Sequence, residues 1–214
     1  MKKTNIFIFI VILASFIIGA YFYPKFPMRA ASHWNAQGKV DGYLSKFWGL
    51  FLLPIILLAM WLLFLIIPKI DPLKENIAKF RKYFDTFIVI IILFLFYIYI
   101  LTIFWTTGTR FNMKQAILPA IGILFYFGGV LISHAKRNWF IGIRTPWTLS
   151  SDNVWEKTHR LGAKLFKIAG VIAFLGLFFP RPAFLLAVAP IIFFIIYLFI
   201  YSYLEYKKEE SEKS

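Results

Sequence analysis

Six long apolar segments alternate with short polar connections along the chain. The segments run over residues 5–23, 47–68, 86–105, 115–133, 163–179 and 183–204. Each has close to the ~20 apolar residues that an α-helix needs to cross a bilayer. The pattern therefore predicts an all-α integral membrane protein, a six-transmembrane-helix bundle, in which residues 1–214 form a single membrane domain.

Composition supports a membrane location and excludes several kinds of chemistry. Hydrophobic residues make up 60% of the chain, whereas soluble domains are about 45–50% apolar. The net charge is +14, but basic residues beside a bilayer set topology and meet anionic lipid headgroups. We therefore expect membrane lipids as partners and no direct nucleic-acid binding. Because the chain has no cysteine, disulfides and thiol catalysis are excluded.

The distribution of basic residues predicts the orientation of the bundle. Six spans place both termini on one side, and the connections on that side carry the larger share of Lys and Arg. Lys2, Lys79 and Lys136 are examples on that side, and Arg110 and Arg181 belong to the sparser opposite side. The positive-inside rule then puts both termini in the cytoplasm. The mixed-charge residues 205–214 are expected to form a flexible cytoplasmic tail.

Glycines in the fourth and fifth spans allow two interpretations. These residues are Gly122, Gly128, Gly129, Gly170 and Gly176. Small residues let helix backbones approach closely, which would place these two spans inside the bundle. Alternatively, glycine is simply common in membrane helices.

The spans offer little catalytic or transport chemistry. No HExxH or GxSxG motif occurs, and no paired carboxylates share a helix face. Charged residues such as Asp85 lie only at span edges, away from the mid-membrane positions typical of proton-coupled carriers. The three histidines are far apart in sequence, which argues against a metal site: His33, His134 and His159. We expect no enzyme activity and no cofactor, and a transporter remains the weaker alternative.

The connection 24–46, predicted to be extracellular, contains the segment HWNAQGKVDGY. Gln37-Gly38 and Asp41-Gly42 are turn signals, and Trp34 suits the headgroup level of a bilayer. The pattern indicates a short folded cap that is either a recognition surface or a connector with aromatic anchors. The candidate recognition residues are His33, Trp34, Asn35, Gly38, Asp41, Gly42 and Tyr43.

The connection 134–162, predicted to be cytoplasmic, begins with HAKRNWFIGIRTPW. Its apolar run around Gly142 is bounded by Trp139 and Trp147, which suits a segment that enters the interface or packs under the bundle. Thr145 precedes a proline, so this part is extended or turns. Arg144 is expected to pair with Asp152 or Glu156, or else to contact lipid phosphate.

A short amphipathic helix is expected to follow and to continue into the fifth span. Residues 150–153 are all good N-caps, and Asn153 with Glu156 resembles a capping box. Apolar residues then recur at helical spacing. The candidate residues for binding a cytoplasmic partner or for signalling are Arg144, Thr145, Pro146, Trp147, Trp155, Glu156, His159 and Arg160.

At these connections the chain resembles the SdpI family of bacterial membrane proteins. The similar segments are HWNAQGKVDGY, NWFIGIRTPWTLSSDNVWEKTHRLG and IDPLKENIAKFRKYFD. The resemblance implies a multi-pass protein of the bacterial cell membrane that confers immunity to a secreted peptide toxin. It also implies a receptor that holds a winged-helix transcriptional repressor at the membrane. For that second role we expect Trp147 and Trp155 to be apolar anchors for the repressor.

Overall fold

A computed structural model of the chain describes residues 3–35, 37–179 and 182–213. Its element order is six long helices interrupted by one β-hairpin and several short helices. Lys2 and Arg181, which entered the orientation argument, lie outside the described residues.

The six predicted spans are confirmed as long apolar helices. They are α1 (Lys3–Phe22), α2 (Lys46–Ile70), α4 (Arg81–Thr106), α5 (Met113–His134), α7 (Asp152–Leu175) and α8 (Ala183–Ser211). Two short helices lie between them, α3 (Lys74–Lys79) and α6 (Pro146–Ser150). Because every helix satisfies its own backbone hydrogen bonds, this architecture suits a bilayer.

Helix α8 continues further than the hydropathy pattern predicted. We expected the last span to end at residue 204 and a solvated tail to follow, but the helix reaches Ser211. Its final turns are held by polar contacts, since the Glu209 carboxylate accepts hydrogen bonds from Ser151 and Asn153. Glu209 also accepts a hydrogen bond from Lys213, which raises the pKa of that ammonium group. A hydropathy pattern does not predict these contacts because they form between segments that are distant in sequence.

The connection between α1 and α2 is an antiparallel hairpin, which a purely all-α class does not include. A 3₁₀ turn at Tyr23–Lys25 leads into β1 (Arg29–Trp34), and β2 (Val40–Ser45) returns to α2. Ala30 and Ala31 are buried in β1. The two-stranded sheet therefore packs as a cap on one end of the bundle.

Helices α5 and α7 approach each other at their glycines, which confirms the close-packing interpretation. A Cβ on Gly122 would come within 2.7 Å of the Gly170 carbonyl oxygen, and one on Gly170 within 2.6 Å of the Gly122 carbonyl oxygen. Similarly, a Cβ added to Gly129 would lie 2.8 Å from the Ala163 carbonyl oxygen. Only the absence of a side chain permits this backbone contact.

The bundle has two distinct ends. At the terminus end, Thr4 lies beside Arg81 and Asp85, and Glu209 contacts Ser151. The opposite end carries the hairpin and the α4–α5 connection, and we call it the hairpin end. The start of α1 and the end of α8 therefore lie at the same end, while the assignment of that end to the cytoplasm stays a prediction.

Candidate functional site

The hairpin is built with two irregularities in its strand pairing. Arg29 pairs with Ser45 at its base and Trp34 with Val40 near its tip. Register shifts leave Ser32 on β1 and Asp41 on β2 without a cross-strand partner. Such bulges re-aim side chains and increase local twist, and they bring the His33 and Asp41 side chains together.

Asn35 and Gly38 form the turn that closes the hairpin. The Asn35 Oδ1 accepts hydrogen bonds from the backbone N–H groups of Gln37 and Lys39, each at 3.0 Å. Gly38 has φ +77°, a left-handed conformation that glycine adopts without steric cost. The Gln37-Gly38 turn signal is confirmed.

The second predicted turn, at Asp41-Gly42, is wrong. Both residues lie within β2, where Gly42 is opposite His33. A Cβ on Gly42 would come within 2.8 Å of the His33 Cβ. Glycine is needed here because the two strands approach closely, and a sequence pattern does not distinguish that need from a turn.

The outer face of the hairpin presents charged and aromatic groups to solvent. His33 Nδ1 lies 2.5 Å from Asp41 Oδ1, and the two side chains are 69% and 45% exposed. The Arg29 guanidinium lies 4.8 Å from the centre of the Tyr43 ring. We call these four residues the outer face. A cation, a carboxylate, an imidazole and a phenol ring offer both ionic and stacking contacts to a bound molecule.

The inner face of the hairpin anchors it to the bundle. Ala30 lies against Gly49 of α2 so closely that a Cβ on Gly49 would come within 2.2 Å of the Ala30 Cβ. The Trp34 ring meets Trp105 edge-on at 5.5 Å, and the Arg110 guanidinium lies 3.9 Å from the Trp105 ring centre. Trp34 therefore holds the cap in place, and the predicted recognition residues divide into anchors and exposed groups.

The segment after α5, residues 135–151, folds around a buried asparagine, and we call it the connecting loop. Asn138 is fully buried. Its Nδ2 donates to the carbonyl oxygens of Lys136 and Ile141, and its Oδ1 accepts from the N–H groups of Phe140 and Ile141. One side chain thus satisfies four backbone groups that a tight loop would otherwise leave unpaired.

Two residues fasten the connecting loop to the start of α3. The Asp71 carboxylate is 2% exposed and accepts hydrogen bonds from the N–H groups of Leu73 and Trp139. Asn76 donates to the Arg137 carbonyl oxygen at 2.9 Å. These contacts were not foreseen, although Asp71 begins the DPLKEN segment of the resemblance. Trp139 and Arg137 lie more than sixty residues away in sequence from Asp71 and Asn76, respectively.

Trp155 and His159 of α7 form the inner wall of the connecting loop. The Trp155 Nε1 donates to the Ala135 carbonyl oxygen at 2.9 Å, and its ring stacks on His159 at 3.9 Å. His159 Nδ1 donates to the Trp155 carbonyl oxygen, while Nε2 accepts from the Ile143 N–H. Using one nitrogen as donor and the other as acceptor requires the neutral ring.

A threonine pair ties the same loop to α8. Thr145 and Thr148 form the capping box of α6, each side chain accepting from the other's backbone N–H. The Thr145 Oγ1 also donates to Ser202 Oγ of α8 at 3.0 Å. The predicted capping box at Asn153 and Glu156 is wrong, because Ser151 caps α7 by accepting from the Val154 N–H. The loop therefore contacts α3, α7 and α8 at once.

The expected ion pair of Arg144 is wrong. Its Nη1 donates to the Trp139 carbonyl oxygen at 2.8 Å. Asp152 instead lies 2.8 Å from Arg137, and Glu156 accepts from Arg160, one turn further along α7. Both carboxylates thus have cationic partners other than Arg144.

Burial separates the predicted partner-binding residues into two groups. Trp155 and His159 are each 3% exposed and Thr145 is 6% exposed, so the prediction that Trp155 is a surface anchor is wrong. Trp147 is half-buried against Phe199 and Tyr203 of α8. The exposed members of the set are Arg144, Pro146, Glu156 and Arg160.

Within residues 3–35, 37–179 and 182–213, His and carboxylate side chains form no group of three or more that could hold a metal ion. The polar groups of the connecting loop bind one another, and those of the hairpin face outward. The arrangement is that of a multi-pass membrane protein with an exposed surface at one end and an internally bonded loop at the other.

Comparison with known proteins agrees with this class and confirms the resemblance to the SdpI family. The model of the SdpI/YfhL protein family matches residues 134–202, which include the connecting loop and α7. A second model, a domain of unknown function (DUF1648), matches residues 10–58, which include the hairpin. The chain is 28% identical to the immunity protein SdpI of Bacillus subtilis (strain 168) over 97% of this chain and 98% of that protein. No solved structure matches the chain.

Proposed function

We propose that this chain is an immunity protein of the cell membrane, which protects its cell against a secreted peptide toxin. The observation that carries the proposal is the similarity to an immunity protein over nearly the whole of both chains. Because that similarity spans all six helices and both polar ends, it concerns the complete architecture and not one shared segment. A non-catalytic role fits the polar groups described above, most of which serve to hold the fold.

The hairpin end is proposed to face the outside and to contact the toxin. A secreted toxin meets the extracellular side first, and the positive-inside rule supports an extracellular position for the hairpin. The outer face offers an exposed His33–Asp41 pair and the Tyr43 ring beside Arg29. Aromatic and arginine side chains commonly dominate protein–protein binding energy. These groups support direct recognition of a peptide.

Signalling to a cytoplasmic repressor is a second role, supported by the bonded connecting loop. Its contacts with α3, α7 and α8 would transmit a movement of any one of these helices to the others. The surface for the repressor would consist of exposed residues such as Arg144 and Arg160, because Trp155 is buried. A transporter role remains the alternative to both.

Expression in a toxin-sensitive strain tests the proposed immunity. We expect the wild-type chain to allow survival under purified toxin. Replacing His33, Asp41 or Tyr43 by Ala should lower about tenfold the toxin concentration that the cells survive. A tenfold change corresponds to the loss of roughly 1.4 kcal/mol of binding free energy. Ser32→Ala is the matched control, since Ser32 is also exposed on the hairpin and lies outside the outer face. No protection by a chain that reaches the membrane would refute the immunity role.

Relocalisation of a tagged repressor separates signalling from immunity. With toxin present, we expect the repressor to move to membranes that contain the wild-type chain. Arg144→Ala and Arg160→Ala should weaken that movement while survival is retained. A repressor that stays in the cytoplasm during full protection would leave immunity intact and exclude the second role.

A further inference from the structure

A cavity of about 750 Å³ opens at the terminus end between α3, α4, α5 and α7. Its walls include Asn76 and Tyr83 on one side, Ser133 and His134 at the end of α5, and residues of α7 from Asp152 to Lys167. Tyr83 and His134 stack with their ring centres 3.5 Å apart and form a flat aromatic wall. The proposed toxin-contacting outer face lies at the opposite end of the bundle, so the immunity proposal makes no use of this cavity.

The cavity is lined with more positive than negative charge. Six cationic side chains and two carboxylates line it: Lys79, Lys136, Arg137, Arg160, Lys164 and Lys167 against Asp152 and Glu156. Both carboxylates are already paired, with Arg137 and Arg160. Within the described part of the chain, Lys136, Lys164 and Lys167 have no carboxylate partner. Concentrated positive charge in a concave site attracts an anion.

The cations on α7 descend towards the membrane. Arg160, Lys164 and Lys167 recur at spacings of three and four residues, so they lie on one face of the helix. Lys167 lies about 10 Å along the axis from Arg160 at 1.5 Å per residue. Its stem crosses α5 at Gly129, where a Cβ would come within 2.8 Å of Lys167 Cγ. Gly129 thus provides the space that lets this lysine lie between the two helices.

Below the lysines the same faces of α5 and α7 form a groove with no polar surface. Val171 and Phe174 continue the helical face of Lys164 and Lys167, and Val171 is 50% exposed. Ile123 and Tyr126 form the α5 side of the groove. The charged cavity and the apolar groove thus follow one another along α5 and α7, in the order in which a phospholipid presents its headgroup and acyl chain.

We propose that the cavity binds the phosphate headgroup of an anionic membrane lipid, with one acyl chain in the α5–α7 groove. Lys164 and Lys167 contact the phosphate, and Lys136 closes the site from the connecting loop. Free inorganic phosphate would use the same cations, but it would gain nothing from the apolar groove. The groove is therefore the reason to assign the site to a lipid.

Lipid binding to the purified full-length protein in nanodiscs tests this proposal. The probe is phosphatidylglycerol titrated into phosphatidylcholine nanodiscs, and co-purifying lipid is measured by native mass spectrometry. We expect Lys164→Gln and Lys167→Gln each to weaken phosphatidylglycerol retention about fivefold, and the double variant about 25-fold. Lys74→Gln is the matched control, since Lys74 is an exposed lysine at the same end that does not line the cavity. The control should retain phosphatidylglycerol like the wild type.

Three results would overturn the proposal. Equal losses in Lys74→Gln and in the cavity variants would mean that only overall charge attracts the lipid. Displacement of phosphatidylglycerol by millimolar inorganic phosphate would identify an anion site without acyl-chain recognition. Unchanged retention in the double variant, at a wild-type unfolding temperature in neutral detergent, would exclude the cavity altogether. A Val171→Trp variant, which fills the groove, should lower retention while leaving every cation in place.

Discussion

The two ends of the bundle use polar residues in opposite ways. At the hairpin end the polar side chains face outward, as in the His33–Asp41 pair, and small apolar residues hold the cap against α2. At the terminus end Asp71, Asn138 and His159 are buried and bond to backbone groups of the connecting loop. The comparison teaches that a polar, motif-rich segment can be either a recognition surface or a scaffold, and that burial decides which.

This contrast has an energetic consequence. A buried polar group that loses its partner costs about 1–3 kcal/mol, whereas an exposed ion pair contributes at most about 1 kcal/mol. Substitutions at the terminus end should therefore reduce stability, and those on the outer face of the hairpin should reduce recognition. The following four predictions test that division.

Trp155→Ala is expected to have the largest effect. Removing this buried side chain leaves a cavity and an unpaired Ala135 carbonyl, which together cost about 3–5 kcal/mol. Trp155→Phe keeps an aromatic ring but loses the Nε1 hydrogen bond and part of the buried ring volume, so we expect a smaller loss than for Trp155→Ala, about 1–3 kcal/mol. The measurement is the midpoint of thermal unfolding in neutral detergent, with circular dichroism used to monitor the loss of helix. Wild-type midpoints for both variants would show that the connecting loop is not a stabilising element.

Asp71→Ala comes second. The substitution leaves the partly buried N–H groups of Leu73 and Trp139 without this acceptor, at about 1–3 kcal/mol in total. The connecting loop should also become more sensitive to protease in detergent. Asp152→Ala is the control at the same end, because its side chain is 77% exposed and its loss should change stability by less than about 1 kcal/mol. Equal losses of stability in Asp71→Ala and Asp152→Ala would contradict the prediction that burial of the carboxylate decides its contribution to stability.

Gly49→Ala tests the anchoring of the hairpin. The new methyl group would come within 2.2 Å of the Ala30 Cβ, so the cap must shift at a cost of about 1–3 kcal/mol. Combining it with Ala30→Gly removes the clash and should restore part of the loss. Proteolysis of residues 29–45 monitors the cap in each variant. Additive losses in the double variant would mean that the hairpin does not dock at this contact.

Asp41→Asn should have the smallest effect on stability. The carboxylate is exposed, so its loss should change the unfolding free energy by less than about 1 kcal/mol. Protection against toxin should nevertheless fall in the survival assay, since the pair with His33 is lost. A destabilisation as large as that of Asp71→Ala would remove the distinction between the two ends.

The candidate sites were only partly predictable. The segments that hold them were found because both are polar, contain turn or capping residues and interrupt long apolar runs. Their internal roles were not found: Trp155 was expected at the surface and is 3% exposed, and Asp41-Gly42 was expected to form a turn and lies in a strand. Tryptophan and glycine each have several structural uses, and the local sequence does not show which one applies.

The sequence by itself determined the six spans and the location of its polar connections, because the bilayer makes apolar length the dominant requirement. It also showed that helices α5 and α7 could approach closely at their glycines. Only the tertiary structure decided which polar groups meet, as in Asp71 with Trp139 and Thr145 with Ser202, whose partners are 68 and 57 residues apart in sequence. Such pairs depend on how the helices pack, and helix packing is set by the whole molecule.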